Sequence, residues 1–214
     1  MARTADHEAR RRQIAAALRA LMADAGLDAA TVAEVARRAG FSVGLVQHYF
    51  PNKDALLLFA YNDVMADIGD RVAARISEGD LREEAISAIV LASVTELLPV
   101  DDGRRGEYRV TRAFRGRSLD NPALVEVTRA TWADLRSRLA AAVDNGKKCG
   151  EVGPDTDATM AATRILALVD GLADQLHMDP AGVAGGRPLP VAAEEIVRAC
   201  LDGVFTGECQ YYRR

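Results

Sequence analysis

Cysteine is scarce in this chain, three residues in 214 (Cys149, Cys200 and Cys209), and none stands in a C-x-x-C spacing. An odd number cannot all pair within one chain, so a disulfide scaffold is not expected, and neither is a structural metal. Long apolar runs are missing as well: nothing approaches the roughly 18–20 residues a membrane-spanning helix needs, so no membrane partner is expected. The opening MARTADHEARRRQ mixes acids with bases and has no apolar centre, unlike a secretory signal. The expected location is the cytoplasm. Histidine is limited to His7, His48 and His177, none placed four residues from another. No Gly-rich phosphate loop, nucleophile elbow or Cys–His signature is present, so no catalytic residue and no cofactor is expected. Glu107 beside Tyr108 is better read as helix surface than as an acid/base pair, and His177 as a cation at a helix C-terminus.

What is there is the composition of a folded protein, 49% hydrophobic and 27% charged. The net charge of -4 argues against a generally basic nucleic-acid binder, but it is unevenly spread. Residues 1–55 carry eight basic and six acidic side chains, and the other 159 carry 19 and 25. A mildly basic head on an acidic body suggests that only the head meets a polyanion.

Ala, Leu, Arg and Glu dominate, apolar residues recur at three- and four-residue steps, and no stretch sustains a period of two, so the chain reads as all-α. Ile14, Leu18, Leu21 and Met22 stripe a first helix that Gly26 ends. Thr31, with Glu34 three residues on, has the pattern of a capping box ahead of a short helix with Val32, Val35 and Ala36 inside, stopping at Gly40. Ser42 caps a third helix over roughly 43–49, which Phe50-Pro51-Asn52 breaks, and Lys53 opens a long helix to about Ile76. Asp80 with Glu83 predicts the cap of a helix carrying Leu81, Ile86, Ile89, Val90, Val94 and Leu97. Further helices are expected over about 104–117, from Pro122 to about Lys147, after the cap Asp157, and over about 191–205. Glycine- and proline-rich 179–190 reads as loop, and the tail 206–214 has no visible partner.

Two short helices joined at Gly40-Phe41-Ser42 and braced by longer ones fit the helix-turn-helix unit. Glycine permits the reversal, Phe41 can plug the interior, and Ser42 turns the N-terminal end of the next helix outward, toward a major groove. The run ATVAEVARRAGFSVGLVQHYFPNKDALL resembles the signature of the TetR family of bacterial transcription regulators. The likeness is carried by Thr31, Ala36, Ala39-Gly40-Phe41-Ser42, Gly44, His48-Tyr49-Phe50, Lys53 and Leu56-Leu57. It implies a helix-turn-helix domain over residues 1–54, a regulatory ligand-binding and dimerisation domain over 55–214, and about nine helices in all. It also implies a homodimer whose recognition helices sit about one DNA turn, roughly 34–36 Å, apart on a palindromic double-stranded operator.

Residue by residue, the resemblance assigns phosphate contacts to Thr31, Ser42, Tyr49 and Lys53, and base edges to Val43, Gly44, Gln47 and His48. Position 43 is often polar in the family and position 47 usually Tyr. Val43 here suits a thymine methyl, and Gln47 can pair with adenine N6 and N7, which predicts A·T pairs in the half-site. Arg10, Arg11 and Arg12 precede the expected helix 1 and Arg3 lies in the arm, so Arg11 and Arg12 join the DNA-binding candidates; a solvated helix end is the other reading.

For the body, the resemblance implies a cavity for an unidentified small-molecule effector whose binding releases DNA, making a repressor the expected role. Met65, Ile89, Val94, Tyr108, Phe114, Trp132 and Leu166 are candidate lining residues. The run 104–117 has six arginines; the face with Thr111, Arg112 and Arg115 is either solvated or adds charge to a site for an anionic or strongly polar effector, and Thr111 and Arg112 join the lining candidates. The last two helices would form the dimer seam through Val169, Leu172, Ala173 and Leu176 with Ile196, Ala199, Cys200 and Val204, and Gly171 would allow close approach. An architectural DNA-binding dimer without an effector is the alternative, since packed and pocketed bodies share one pattern.

Overall fold

The computed structural model describes residues 2–211, with side chains described from His7 onward, so the arm residue Arg3 lies outside the described side chains. Among the described residues the chain is all-α, with nine helices and one small hairpin. In order these are α1 (Ala2–Ala29), α2 (Val32–Ala39), α3 (Val43–Tyr49), α4 (Lys53–Leu81), α5 (Ile86–Thr95), α6 (Asp102–Ser118), α7 (Pro122–Cys149), α8 (Ala158–Met178), the strands β1 (Val183–Ala184) and β2 (Arg187–Pro188), and α9 (Leu189–Asp202). The chain divides into two compact units, residues 1–67 with 101–128, and residues 68–100 with 129–214. α4 and α7 each contribute to both.

In the first unit the α1 stripe of Ile14, Leu18, Leu21 and Met22 is buried with Val35, Ala36, Val46 and Phe50, as the helical period requires. Gly26 interrupts α1 with φ 81°, ψ 175°, a backbone that glycine alone adopts without strain, and one more turn follows. α6 belongs to this unit. Its Phe114 is fully buried and stacks on Tyr61 of α4 with ring centres 4.0 Å apart. Arg109 donates to the carbonyls of Met22 and Ala23, in the last turn before the break at Gly26, where helix carbonyls lack their own partners. Arg117 grips Asp54 through two hydrogen bonds, 2.9 and 3.1 Å, and Asn121 adds a third at 3.1 Å.

In the second unit α9 packs on α8 and α5. The shared core includes Val90, Val94, Ile165, Leu166, Val169, Leu172, Leu176, Val197 and Leu201. Glu96 is buried and receives Arg71 and Arg75 at 3.1 and 3.0 Å.

Three local expectations are corrected. α4 continues through Asp80 to Leu81, so Asp80 caps nothing; the break comes at Glu83, with φ 55°, and α5 starts only at Ile86. Its cap comes from far along the chain: the buried Glu151 carboxylate accepts the N–H groups of Ile86 and Ser87 at 2.8 and 2.9 Å. The 179–190 loop contains a hairpin turned by Gly185 and Gly186, both with positive φ, as a two-residue connection demands. The tail does have a partner, since Gly207 N–H donates to Glu151 O and Gln210 N–H to Cys149 O.

Candidate nucleic-acid interface

Thr31 and Ser42 have extended backbones, and their hydroxyls accept the N–H groups of Glu34 and Leu45, each at 3.2 Å. Both are therefore N-caps, as expected. The reciprocal half of the capping box is absent at Thr31: Glu34 turns instead to Arg37, whose guanidinium holds its carboxyl below the usual carboxylate range. Between the helices Gly40 takes the left-handed conformation, φ 73° and ψ 25°, and Phe41 N–H returns to Ala36 O at 2.9 Å. That reversal fixes the direction in which α3 leaves.

Val46 anchors α3 in the core, while Val43, Gly44, Gln47 and His48 are all exposed. Positions i, i+1, i+4 and i+5 share one side of a helix, so these four form a single outward strip. Val43 is 41% exposed, a free apolar contact at the start of the helix. A side chain added at Gly44 would meet nothing, which leaves the backbone there open to close approach. Tyr49 is half-buried, edge-on to His48 at 5.5 Å and to His7 at 4.7 Å, so it steadies the end of the strip. Lys53 donates to Leu27 O at 2.7 Å, tying α4 to the end of α1 and leaving its other two ammonium protons for an outside acceptor.

The two arginines assigned to the interface part company. Arg12 is exposed, 3.8 Å from Glu8. Arg11 is half-buried, its guanidinium over the rings of Phe59 at 4.4 Å and Phe50 at 5.4 Å, where it braces the head from inside.

Comparison with known proteins decides what this arrangement belongs to. Residues 14–59 match the model of bacterial regulatory proteins of the tetR family, and residues 83–206 match the C-terminal part of BetI-type transcriptional repressors. The chain belongs to the TetR family. It is accordingly a DNA-binding transcriptional regulator whose relatives are regulators rather than enzymes. The BetI 1 regulator of Chromohalobacter salexigens is 31% identical over 195 residues, 87% of this chain and 88% of that one. A transcriptional regulator of Rhodococcus sp. RHA1 has a TM-score of 0.72 at 34% identity, covering 91% of this chain and 97% of its own. A protein from Saccharomonospora viridis, solved in complex with choline, has a TM-score of 0.71 at 26% identity, covering 90% and 93%.

Set against this TetR framework, the expected effector-lining residues fall into two groups. Met65, Tyr108, Thr111, Arg112 and Phe114 belong to the first unit, and Ile89, Val94, Trp132 and Leu166 to the second. Tyr108, Phe114, Val94 and Leu166 are buried in their own units, Met65, Ile89, Thr111 and Trp132 are half-buried, and Arg112 is exposed. The α6 arginines do not form one charged wall: Arg104 and Arg105 pair with Asp101 and Asp102 of their own first turn, while Arg109 and Arg117 clasp α1 and α4. Sequence reasoning missed that clasp, because its partners lie 63 or more residues away.

Of the expected seam residues, Val169, Leu172, Ala173, Leu176 and Val204 are buried within the single chain and so pack its own core, whereas Ile196 and Ala199 are exposed and Cys200 half-exposed. The opposite side of α8 is the open one, with Met160, Ala167, Gly171 and Met178 exposed. Among the described residues no helix is long and apolar enough to cross a membrane.

Proposed function

We propose that this TetR-family regulator is a repressor that binds a palindromic operator as a homodimer and is released by a small-molecule effector. The observation that carries the reading is the outward strip of Val43, Gly44, Gln47 and His48 on α3, flanked by the exposed Thr31 and Ser42 and by Lys53. Gln47 supplies both a donor and an acceptor for adenine, and Val43 an apolar contact for thymine, so the half-site contains A·T pairs. Thr31, Ser42, Tyr49, Lys53 and Arg12 hold phosphates; Arg11 supports them from within.

The homodimer forms through the open side of α8 and the exposed residues of α9. Gly171 faces outward with nothing near the position of an added Cβ, which suits close helix approach by a second copy. Met160, Ala167 and Met178 of α8 join Val191, Ile196 and Ala199 of α9 in supplying the apolar surface.

The effector reading is supported by the BetI-type match over 83–206 and by the choline complex of the S. viridis protein. Choline is the first compound to test. Because α6 holds the head through Arg109 and Arg117, a ligand that displaces α6 pulls directly on α1 and on the start of α4. The test is release of operator DNA, read by fluorescence anisotropy, alongside a thermal-shift titration over choline and a wider metabolite set. Release together with a rise in melting temperature is expected for the effector. Failure of every compound class to do either would favour an architectural dimer without an effector.

A further inference from the structure

The neighbourhood of Cys149 plays no part in the DNA-binding reading, and it brings together residues that the chain keeps 60 positions apart. One ligand atom from each of Cys149, Glu151 and Cys209 lies within 4.8 Å of the other two. The arrangement is held by backbone, not by side-chain chance. Gln210 N–H bonds Cys149 O at 2.7 Å, and Gly207 N–H bonds Glu151 O at 2.9 Å, which lays the tail along the end of α7. Gly150, with φ 93°, turns the chain directly beneath that tail, where a Cβ would stand 2.8 Å from the Gln210 side-chain Nε2. Glu151 is oriented from behind by the N–H groups of Ile86 and Ser87, and its Oε1 is 3.3 Å from Cys149 Sγ.

We propose that Cys149, Cys209 and Glu151 bind a thiophilic divalent cation such as zinc. Zinc–sulfur bonds of about 2.3 Å in a tetrahedron place two sulfurs about 3.8 Å apart, within the spread of this cluster. The exchange balances: one divalent ion enters, two thiol protons leave to solvent, and no electron moves. A carboxylate with two thiols carries one negative charge, and the same carboxylate with a divalent ion and two thiolates carries one negative charge too. The cluster, in which Cys149 and Glu151 are buried and Cys209 half-buried, therefore gains metal–ligand bonds without gaining net charge, which removes the usual objection to placing charge in an interior. The two backbone donors to Glu151 act as the orienting outer shell that metal sites require. Three protein ligands leave a fourth position for water or an external donor. Occupation would fasten the tail, the end of α7 and the start of α5 to a single point.

The test uses the full-length, reduced protein titrated with cadmium, read by near-ultraviolet thiolate-to-metal charge transfer, and with zinc in competition against a chromophoric chelator. The expected result is saturation at one ion per chain, loss of the band in Cys209→Ser, and no change in Cys200→Ser. Circular dichroism of metal-free Cys209→Ser checks that the variant folds. X-ray absorption at the zinc edge of the unaltered protein gives an independent reading, with two sulfur neighbours expected. Absence of a saturable band, a band that survives Cys209→Ser, or an edge spectrum with no sulfur neighbour would each overturn the proposal.

Discussion

Gln47 and Val43 stand on α3 with their side chains outside the core, so replacing them separates recognition from folding. Gln47→Ala is expected to leave the melting temperature unchanged while reducing operator discrimination by about 1–3 kcal/mol, read as the ratio of specific to random-DNA affinity. Asp54 carries a different prediction. Hydrogen bonding from Arg117, with Asn121 and the neighbouring cations, holds its carboxyl below the usual carboxylate range. A lowered folded-state pKa contributes stability above the unfolded value and loses it as pH falls through the folded one. Acid melts should therefore show Asp54→Asn converging on the unaltered protein at low pH and falling below it near neutrality, by about 1 kcal/mol or less because the pair is partly exposed. A gap that widens toward acid would contradict the assignment. The two caps and the exposed side of α3 were legible from the sequence because the motif is local and each cap sits three residues from its target. Arg11 was not, since a basic triplet looks the same whether its members face solvent or cover Phe50 and Phe59.

Helix boundaries show the same divide at the scale of elements. α2, α3, α6 and α8 begin where Thr31, Ser42, Asp101 and Asp157 cap them, each with a side-chain bond to an amide three residues on. α5 begins at Ile86 because of Glu151, 65 residues away, and no local window contains that cap. Asp80 and Glu83 had the right letters and the wrong backbone. Burial pushes the Cys149 thiol up to about 11, and the neighbouring Glu151 carboxylate adds to it. Glu151→Ala should destabilise the second unit by about 2–3 kcal/mol through loss of two charge-assisted bonds, and hydrogen exchange should rise first at the amides of Ile86 and Ser87. Uniform exchange across α5 would instead point to general loss of packing. On α6 the arginine count was readable, but whether each guanidinium met solvent, its own helix or α1 depended on contacts that sequence spacing does not encode.

For the molecule as a whole, helical periodicity and one local motif were enough to read an all-α regulator, because both are short-range signals. The side of α8 that packs inward was harder, since Val169, Leu172 and Leu176 are as apolar as any seam and the smaller Ala167 and Gly171 lie on the open side. If the proposed homodimer forms through this side, Gly171→Glu or Ile196→Glu should leave the chain monomeric in sedimentation and still folded by circular dichroism, whereas Leu172→Glu should unfold it. Loss of dimerisation should also weaken operator binding far more than either residue's distance from DNA would suggest, since two half-sites are read together.

The most direct test of the account is an anisotropy titration of the full chain on the intergenic DNA beside its own gene, with sheared random DNA as control and salt varied. One palindrome should be bound about a thousandfold or more above random sequence, with a steep salt slope, a stoichiometry of two chains, and that preference reduced by about 1–3 kcal/mol in Gln47→Ala. Equal affinity for both DNAs from every region tried, or a palindrome preference that survives Gln47→Ala intact, would contradict it.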